Sequence, residues 1–296
     1  MLTRILAPIL FALLAVASAC DQQSDPVVVA PTLNMALSGY DIVAAEPDPA
    51  VVIDAAARAR MTATKLPWKV RDRRTGIVML LCPPGEFMMG SPTSEEGRTE
   101  TGGSLREAQH SFTITKAFYL SETEVTQEVW QKVMGTNPSE FNGANNPVEQ
   151  VSWNDCQSFC QSSGLRLASE SEWEYACRAG TMTAYSFGAD ITMQQANFSS
   201  EKGTVACGSL PANRWGFREM HGNVCEWCED GYETRLSVTQ EANPVQEAVK
   251  WNAPYRVLRG GAWTELTYFL RSARRDLTTP DRKNGFTGFR VARDAL

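Results

Sequence analysis

The chain has 296 residues, of which 43% are apolar, enough for one large domain or two small ones with a real core. Its net charge of −6 argues against a nucleic-acid binder, which would normally show a basic face. Eight cysteines, at 20, 82, 156, 160, 177, 207, 225 and 228, and two histidines, His110 and His221, bound the metal and redox chemistry available.

The N-terminus reads as an export signal over residues 1–19. Arg4 supplies the basic start, and Ile5 to Val16 form an apolar run too short to span a bilayer. "ASAC" at 17–20 allows two cuts: after Ala19 by an Ala-x-Ala rule, or at a lipobox in which Cys20 becomes the lipidated first residue. Lipidation would leave seven cysteines, an odd number; an Ala-x-Ala cut would leave eight to pair. Either cut gives an exported product in a compartment that permits disulfides. The expected location is the bacterial periplasm, with a lipid anchor to a membrane.

Residues 20–75 read as an Ala- and Pro-rich tether containing one helix near "DPAVVIDAAARAR", with Arg71, Arg73 and Arg74 as a solvated basic cluster. The folded domain is expected over 76–296. "GIVMLLCPPGEFMMGS" predicts a buried strand, a Pro-Pro-Gly turn and a second strand. "HSFTITKAFYLSETEV" alternates as a strand. Three helices follow. "TQEVWQKVMG" has Thr126 as N-cap and Gly135 as stop; "SWNDCQSFCQSSG" has Ser152 and Asp155 as a capping box. "SESEWEYACRAG" has Ser169 and Glu172 as the box and Gly180 as stop. Beyond 181, Gly, Asn, Pro and aromatics dominate and no long element is expected. No internal repeat is visible. The class is α+β with much irregular structure.

Seven blocks then come in a fixed order: "PPGEFMMGS", "EVTQEVWQKVMG", "NPVEQVSWNDCQSFC", "GLRLASESEWEYACRAG", "GNVCEWCED", "RVLRGGAW" and "GFRVAR". Together they resemble the formylglycine-generating enzyme, or sulfatase-modifying factor, family over about 78–293. The resemblance implies an irregular α+β fold related to C-type lectins. It also implies a site just after Gly260-Gly261, where the family's enzymes hold copper with two cysteines and oxidise a sulfatase cysteine to formylglycine. Here that stretch is "AWTELTYFL", and Glu265 and Thr267 stand nearest the cysteine positions. The family's groove Ser is Ala262, its groove Trp is Cys225, and its Asn before "GFR" is Phe286 or Thr287. Copper(I) needs soft thiolate ligands, so copper is not expected. A branch using non-haem iron needs three histidines, which this chain lacks, so iron is not expected either. A further branch, acting in pyoverdine maturation, also lacks the cysteine pair.

The resemblance implies a structural calcium loop at Glu219, Gly222, Val224 and Glu226, and a second at Asn197 and Phe198 whose acidic ligand has no clear match. Cysteines that pair with positions 160 and 177 in some relatives are absent, Ser272 and Val291 standing nearest. Cys156 and Cys160 are too strained at i,i+4 to bond each other. The Cys225-x-x-Cys228 pair lacks the βαβ context of a redox motif, and His221 is expected to be a hydrogen-bonded loop residue. Candidate catalytic residues are Glu265, as a base, and Cys225. Candidate substrate contacts are Trp263, Arg271, Arg274 and Arg275, the arginines serving otherwise as scaffold ion pairs. Two functions are weighed: a non-catalytic envelope module binding a protein, peptide or glycan, and a divergent oxygen-dependent oxidoreductase acting on a peptide or peptide-derived molecule. True formylglycine synthesis stands third. No nucleic-acid partner is expected.

Overall fold

A computed structural model describes residues 37–98, 107–232 and 254–295. The signal segment and Cys20 lie outside the described residues. In chain order the elements are β1 (Tyr40–Ala44), α1 (Ala55–Ala63), β2 (Lys69–Asp72), β3 (Val78–Cys82), β4 (Gly85–Met89), β5 (His110–Ile114) and β6 (Phe118–Ser121). Then come α2 (Gln127–Met134), α3 (Trp153–Ser163), β7 (Arg166–Leu167) and α4 (Glu170–Arg178). The last part holds β8 (Cys225–Gly231), β9 (Arg256–Arg259), a 3₁₀ turn (Thr267–Leu270), β10 (Asp276–Thr278), β11 (Thr287–Gly288) and β12 (Val291–Asp294).

The folded region begins earlier than the sequence implied. Strands β1 and β2 belong to a six-stranded antiparallel sheet, ordered β1-β2-β3-β6-β12-β7. Val52, Ala57, Met61, Trp68 and Val70 are buried in the main core. The stretch read as a tether therefore folds from residue 40 onward. Its short apolar positions are separated by Ala, Pro and charges, which masked their period. The expected helix is there, over Ala55–Ala63, with Asp54 accepting from the Ala56 N–H.

Helix termini follow the sequence signals closely. Thr126 Oγ1 accepts from Val129, and Gly135 ends α2 at φ 82°. Both capping boxes form: Ser152 with Asp155, and Ser169 with Glu172. Helix α4 stops one residue before the expected Gly180, with Ala179 left-handed at φ 46°. The two predicted strand stretches each divide between sheets. β3 joins the large sheet, while β4 pairs with β5 in a two-stranded ribbon, and Pro83-Pro84 at the switch offer no N–H to either ladder.

Helix α4 organises the interior. Its sequence "ESEWEYACR" places a glutamate at every second position, and all three are buried. Glu170 takes both Arg275 Nε (2.5 Å) and Nη2 (2.7 Å). Glu172 takes both terminal nitrogens of Arg166 at 2.7 Å. Glu174 takes Arg178 Nε (2.8 Å), the Gly90 N–H (2.8 Å) and Arg259. Buried charges survive only when paired in this way. The four-stranded sheet β10-β9-β8-β11 lies against this network and carries the candidate site.

Candidate functional site

Strand β9 ends at Arg259 and runs into Gly260 (φ 92°) and Gly261 (φ 69°). A Cβ on Gly261 would stand 2.8 Å from the Leu270 side chain and 2.9 Å from the Phe269 carbonyl, so this reversal admits only glycine. The chain then closes a tight turn on itself. Glu265 N–H donates to the Ala262 carbonyl (3.0 Å), and Ala262 N–H donates to Glu265 Oε2 (3.0 Å). Trp263 is fixed by its N–H on the Asn223 carbonyl (3.0 Å) and its ring Nε1–H on the Gly285 carbonyl (3.0 Å). Its ring meets Phe141 edge-on, with centroids 5.1 Å apart. Ser199 and Ser200 donate to the Glu265 and Trp263 carbonyls and pin the turn from the other side.

Cys225 opens β8 opposite Thr287 of β11. Its Sγ lies 3.9 Å from Glu265 Oε2, so the structure joins the two candidate catalytic residues, one from each wall. Neither group is shifted towards its charged form. Burial raises the Cys225 thiol well above its usual range, and the Glu265 and Asp276 carboxylates push the same way. Burial also raises Glu265, with Asp276 adding to it. The pair is a buried thiol beside a carboxyl that burial also raises. Thr267 sits in the 3₁₀ turn, with its carbonyl accepting from Tyr185 Oη (2.9 Å).

The arginine cluster divides. Arg271 is buried; its Nη1 donates to Glu95 (2.6 Å) and both its terminal nitrogens donate to Glu107 (2.9 and 3.1 Å). Arg275 is buried on Glu170 and lies over the Tyr232 ring at 4.7 Å. These two hold the scaffold and cannot grip a substrate, which corrects the substrate reading for both. Arg274 alone of the three is partly exposed, stacked 4.8 Å over Phe269 and 3.8 Å from Asp276. Leu266 and Tyr268 beside it are 55% and 40% exposed. A surface therefore runs from Trp263 through Leu266 and Tyr268 to Arg274.

The Cys225-x-x-Cys228 spacing falls on a strand. Residues three apart point to opposite faces about 10 Å apart, beyond disulfide reach. All seven described cysteines are free. His221 is buried and lowered to about 4 by that burial. Its Nδ1–H points to the Leu270 carbonyl (2.7 Å), and Nε2 accepts from the Ser186 N–H (3.1 Å).

The two carboxylates of the expected calcium loop are already engaged. Glu226 takes Arg290 Nε (2.6 Å) and Nη2 (2.8 Å) and the Trp173 Nε1–H (2.8 Å). Glu219 takes the N–H groups of Gly208 (2.9 Å) and Leu210 (3.0 Å). The Asn197 carbonyl takes the Asn223 N–H (2.9 Å), and a Cβ on Gly222 would meet that carbonyl at 2.3 Å. Val224 and Phe198 are buried. An ion here would have to displace a guanidinium and several N–H groups, so this donor set does not fit calcium. Arg290 already supplies the positive charge that Glu226 needs. Sequence reasoning missed Glu124, which is buried beside this loop and accepts from Asn223 Nδ2 (3.1 Å) and Cys207 Sγ (3.3 Å). It also missed Phe141. The motif "EVTQ" and an aromatic in a polar loop were the signals available.

Residues 66–295 match the model of the sulfatase-modifying factor enzyme 1-like domain. Mouse formylglycine-generating enzyme is 30% identical over 186 residues, 56% of this chain and 49% of that protein. A serine/threonine-protein kinase, pkn1 of Chlamydia caviae, is 40% identical over 153 residues, 51% of this chain but 24% of the kinase. The chain thus spans about a quarter to a half of the length of these relatives. Among solved structures, PvdO from Pseudomonas aeruginosa matches with a TM-score of 0.68 and 27% identity, over 76% of this chain and 97% of that one.

Proposed function

Because the chain belongs to the sulfatase-modifying factor enzyme 1-like domain family, we propose that it keeps the family's frame as a non-catalytic binding module of the cell envelope. Its ligand is a protein, peptide or glycan, received on the surface from Trp263 to Arg274. The observation that carries this reading is the 262–265 turn. The residue nearest a copper-site cysteine, Glu265, folds back on its own Ala262 N–H, and the nearest thiol, Cys225, is buried with its neutral form favoured. Copper(I) prefers soft thiolate ligands, and the stretch from Ala262 to Leu270 offers no cysteine. Trp263 and Phe141 form a rigid aromatic pair of the kind that anchors ligands at low entropic cost. The match to a quarter of a protein named a kinase supports a domain that also occurs joined to other activities.

The second reading is a divergent oxidoreductase, and the Cys225–Glu265 contact favours it. One experiment separates them: oxygen uptake with copper and a Cys-x-Pro-x-Arg peptide, on wild type, Cys225→Ser and Glu265→Gln. No uptake, together with specific retention of an envelope protein, peptide or glycan that Trp263→Ala abolishes, is the expected result. Peptide aldehyde from wild type would restore formylglycine synthesis and sink the binding reading. Export with lipidation at Cys20 belongs to the same proposal. Cys20→Ser should release the chain into the soluble fraction after a high-salt wash that strips electrostatic contacts, and unchanged membrane association under that wash would end the anchor reading.

A further inference from the structure

Strand β1 forms one edge of the six-stranded sheet, and among the described residues nothing pairs with its outer side. Ile42 and Val43 are 60% and 45% exposed there. The register slips between Ile42 and Ala44, so the ladder to β2 is interrupted at Val43. A bulge on an edge strand opposes pairing with a strand from another chain, so this edge is poorly suited to sheet extension. The segment that builds it is mildly basic, although Lys69 in it is paired with Glu122 at 2.7 Å. Residues 37–76 hold seven Lys or Arg and five Asp or Glu, a local +2 in a chain of −6. Arg71 and Arg74 are exposed, with no bonded side-chain partner among the described residues. Arg73 pairs with Asp41 at 2.7 Å, but both are more than half exposed, so the pair is screened by water. Arg73, Arg74 and Arg293 also line an open cavity of 520 Å³ beside Ser38 and Tyr40.

The N-terminal segment leads directly to this edge. Sixteen residues separate Cys20 from Leu37, a contour of at most about 55 Å. The Leu37 carbonyl accepts from the Tyr40 N–H (3.0 Å) where β1 begins. A chain anchored at Cys20 would hold this face near a bilayer, and a tether turns a weak surface attraction into an intramolecular one. Arginines attract anionic headgroups within a Debye length, and exposed aliphatic side chains enter the headgroup boundary.

We propose that the β1 edge, through Val43, Arg71 and Arg74, is a membrane-contact face that rests on anionic phospholipid headgroups. This orients the Trp263–Arg274 surface independently of what that surface binds. The anchor reading is kept apart by testing the exported chain with Cys20→Ser, so that no lipid contributes. The measurement is co-sedimentation with vesicles of phosphatidylcholine, with and without phosphatidylglycerol. The expected result is salt-sensitive binding to the phosphatidylglycerol vesicles alone, weakened roughly thirty-fold in Arg71→Glu/Arg74→Glu. Val43→Ser should weaken it too. Thermal melts should be unchanged in both variants, since these side chains are exposed; if the glutamate variant fails to fold, Arg71→Gln/Arg74→Gln replaces it. Equal binding to neutral vesicles, no binding to either, or full binding by the charge-changed variant would each overturn the proposal.

Discussion

Helix α4 and the 260–265 turn both remove glutamates from water, and they treat them in opposite ways. Glu174 on α4 has 1% of its side chain exposed, yet its carboxyl is held below the usual range, because Arg178, Arg259 and the Gly90 N–H outweigh burial. Glu265 on the turn has one backbone N–H and a thiol, and its carboxyl is held above that range. The difference is cation supply. The interior is a fully paired scaffold whose arginines come from β9, α4 and the 271–275 stretch. The turn lies against the same sheet but receives none of those guanidinium groups directly. The turn holds its carboxyl with a backbone N–H and a thiol instead of a cation, and the exposed Leu266 and Tyr268 follow it directly in the chain.

The comparison can be broken by removing the same side chain from each region. Glu174→Ala should leave Arg178 and Arg259 buried without their carboxylate, and should cost about 3–5 kcal/mol in urea unfolding. A loss under about 1 kcal/mol would mean that the buried network is not what holds α4 to β9. Gly222→Ala comes next. The residue is at φ 79° with the Asn197 carbonyl 2.3 Å from a new Cβ, so about 2 kcal/mol or more should be lost. Glu265→Gln should shift stability by no more than about 1 kcal/mol, since the amide oxygen can still accept from Ala262.

pH sharpens the contrast inside the scaffold itself. Asp230 accepts the Glu170 N–H at 2.6 Å and is raised to about 7, first by burial and then by the Glu170 charge. Its folded pKa exceeds its unfolded one, so the folded state binds the proton more tightly. Its contribution is fully present below about pH 4 and is lost as pH rises towards 7, with a slope of up to about 1.4 kcal/mol per unit. His221 runs the other way. Lowered to about 4, it weakens the fold as pH falls from 6.5 towards 4. The two oppose each other over that window. Asp230→Asn should unmask the histidine, giving a fold that loses stability on acidification more steeply than wild type in urea titrations. An unchanged pH profile would show that Asp230 is ionised in the fold throughout.

The scaffold was far more legible in the sequence than the site. The caps at Thr126, Ser152 and Ser169 could be read because each rests on residues three apart whose chemistry is local. Ordered motif blocks carried the fold. The start of the domain was misread because β1 shows no clean alternation at its open edge, and β2, whose burial does alternate, places the polar Asp72 at a buried position. Arg271 could not be placed because its partners, Glu95 and Glu107, are more than 160 residues away in sequence. The Cys225–Glu265 contact, across 40 residues, was invisible for the same reason. The Cys225-x-x-Cys228 pair, already without the context of a redox motif in the sequence, falls on a strand that sets the two thiols on opposite faces.

The smallest expected effect concerns the loop at 219–226, where the comparison between paired and unpaired carboxylates meets the calcium expectation. A calcium ion is held by oxygen atoms with lone pairs to give. Glu226 presents both oxygens to Arg290, with Trp173 sharing one, and Glu219 presents both to backbone N–H groups. The guanidinium occupies the electrostatic role that a divalent ion would otherwise fill. An occupied site would stabilise the fold by mass action, about 2.7 kcal/mol at a hundredfold excess over Kd. Adding a chelator, or millimolar calcium, should therefore leave the melting temperature where it is. Arg290→Met should be strongly destabilising, because it strands Glu226 beside Glu124 in the interior. If calcium then restores the melting temperature of Arg290→Met while leaving wild type unmoved, guanidinium and ion are competitors for one carboxylate. A clear calcium shift in wild type would instead show that the loop opens to admit the ion, and that Arg290 yields to it.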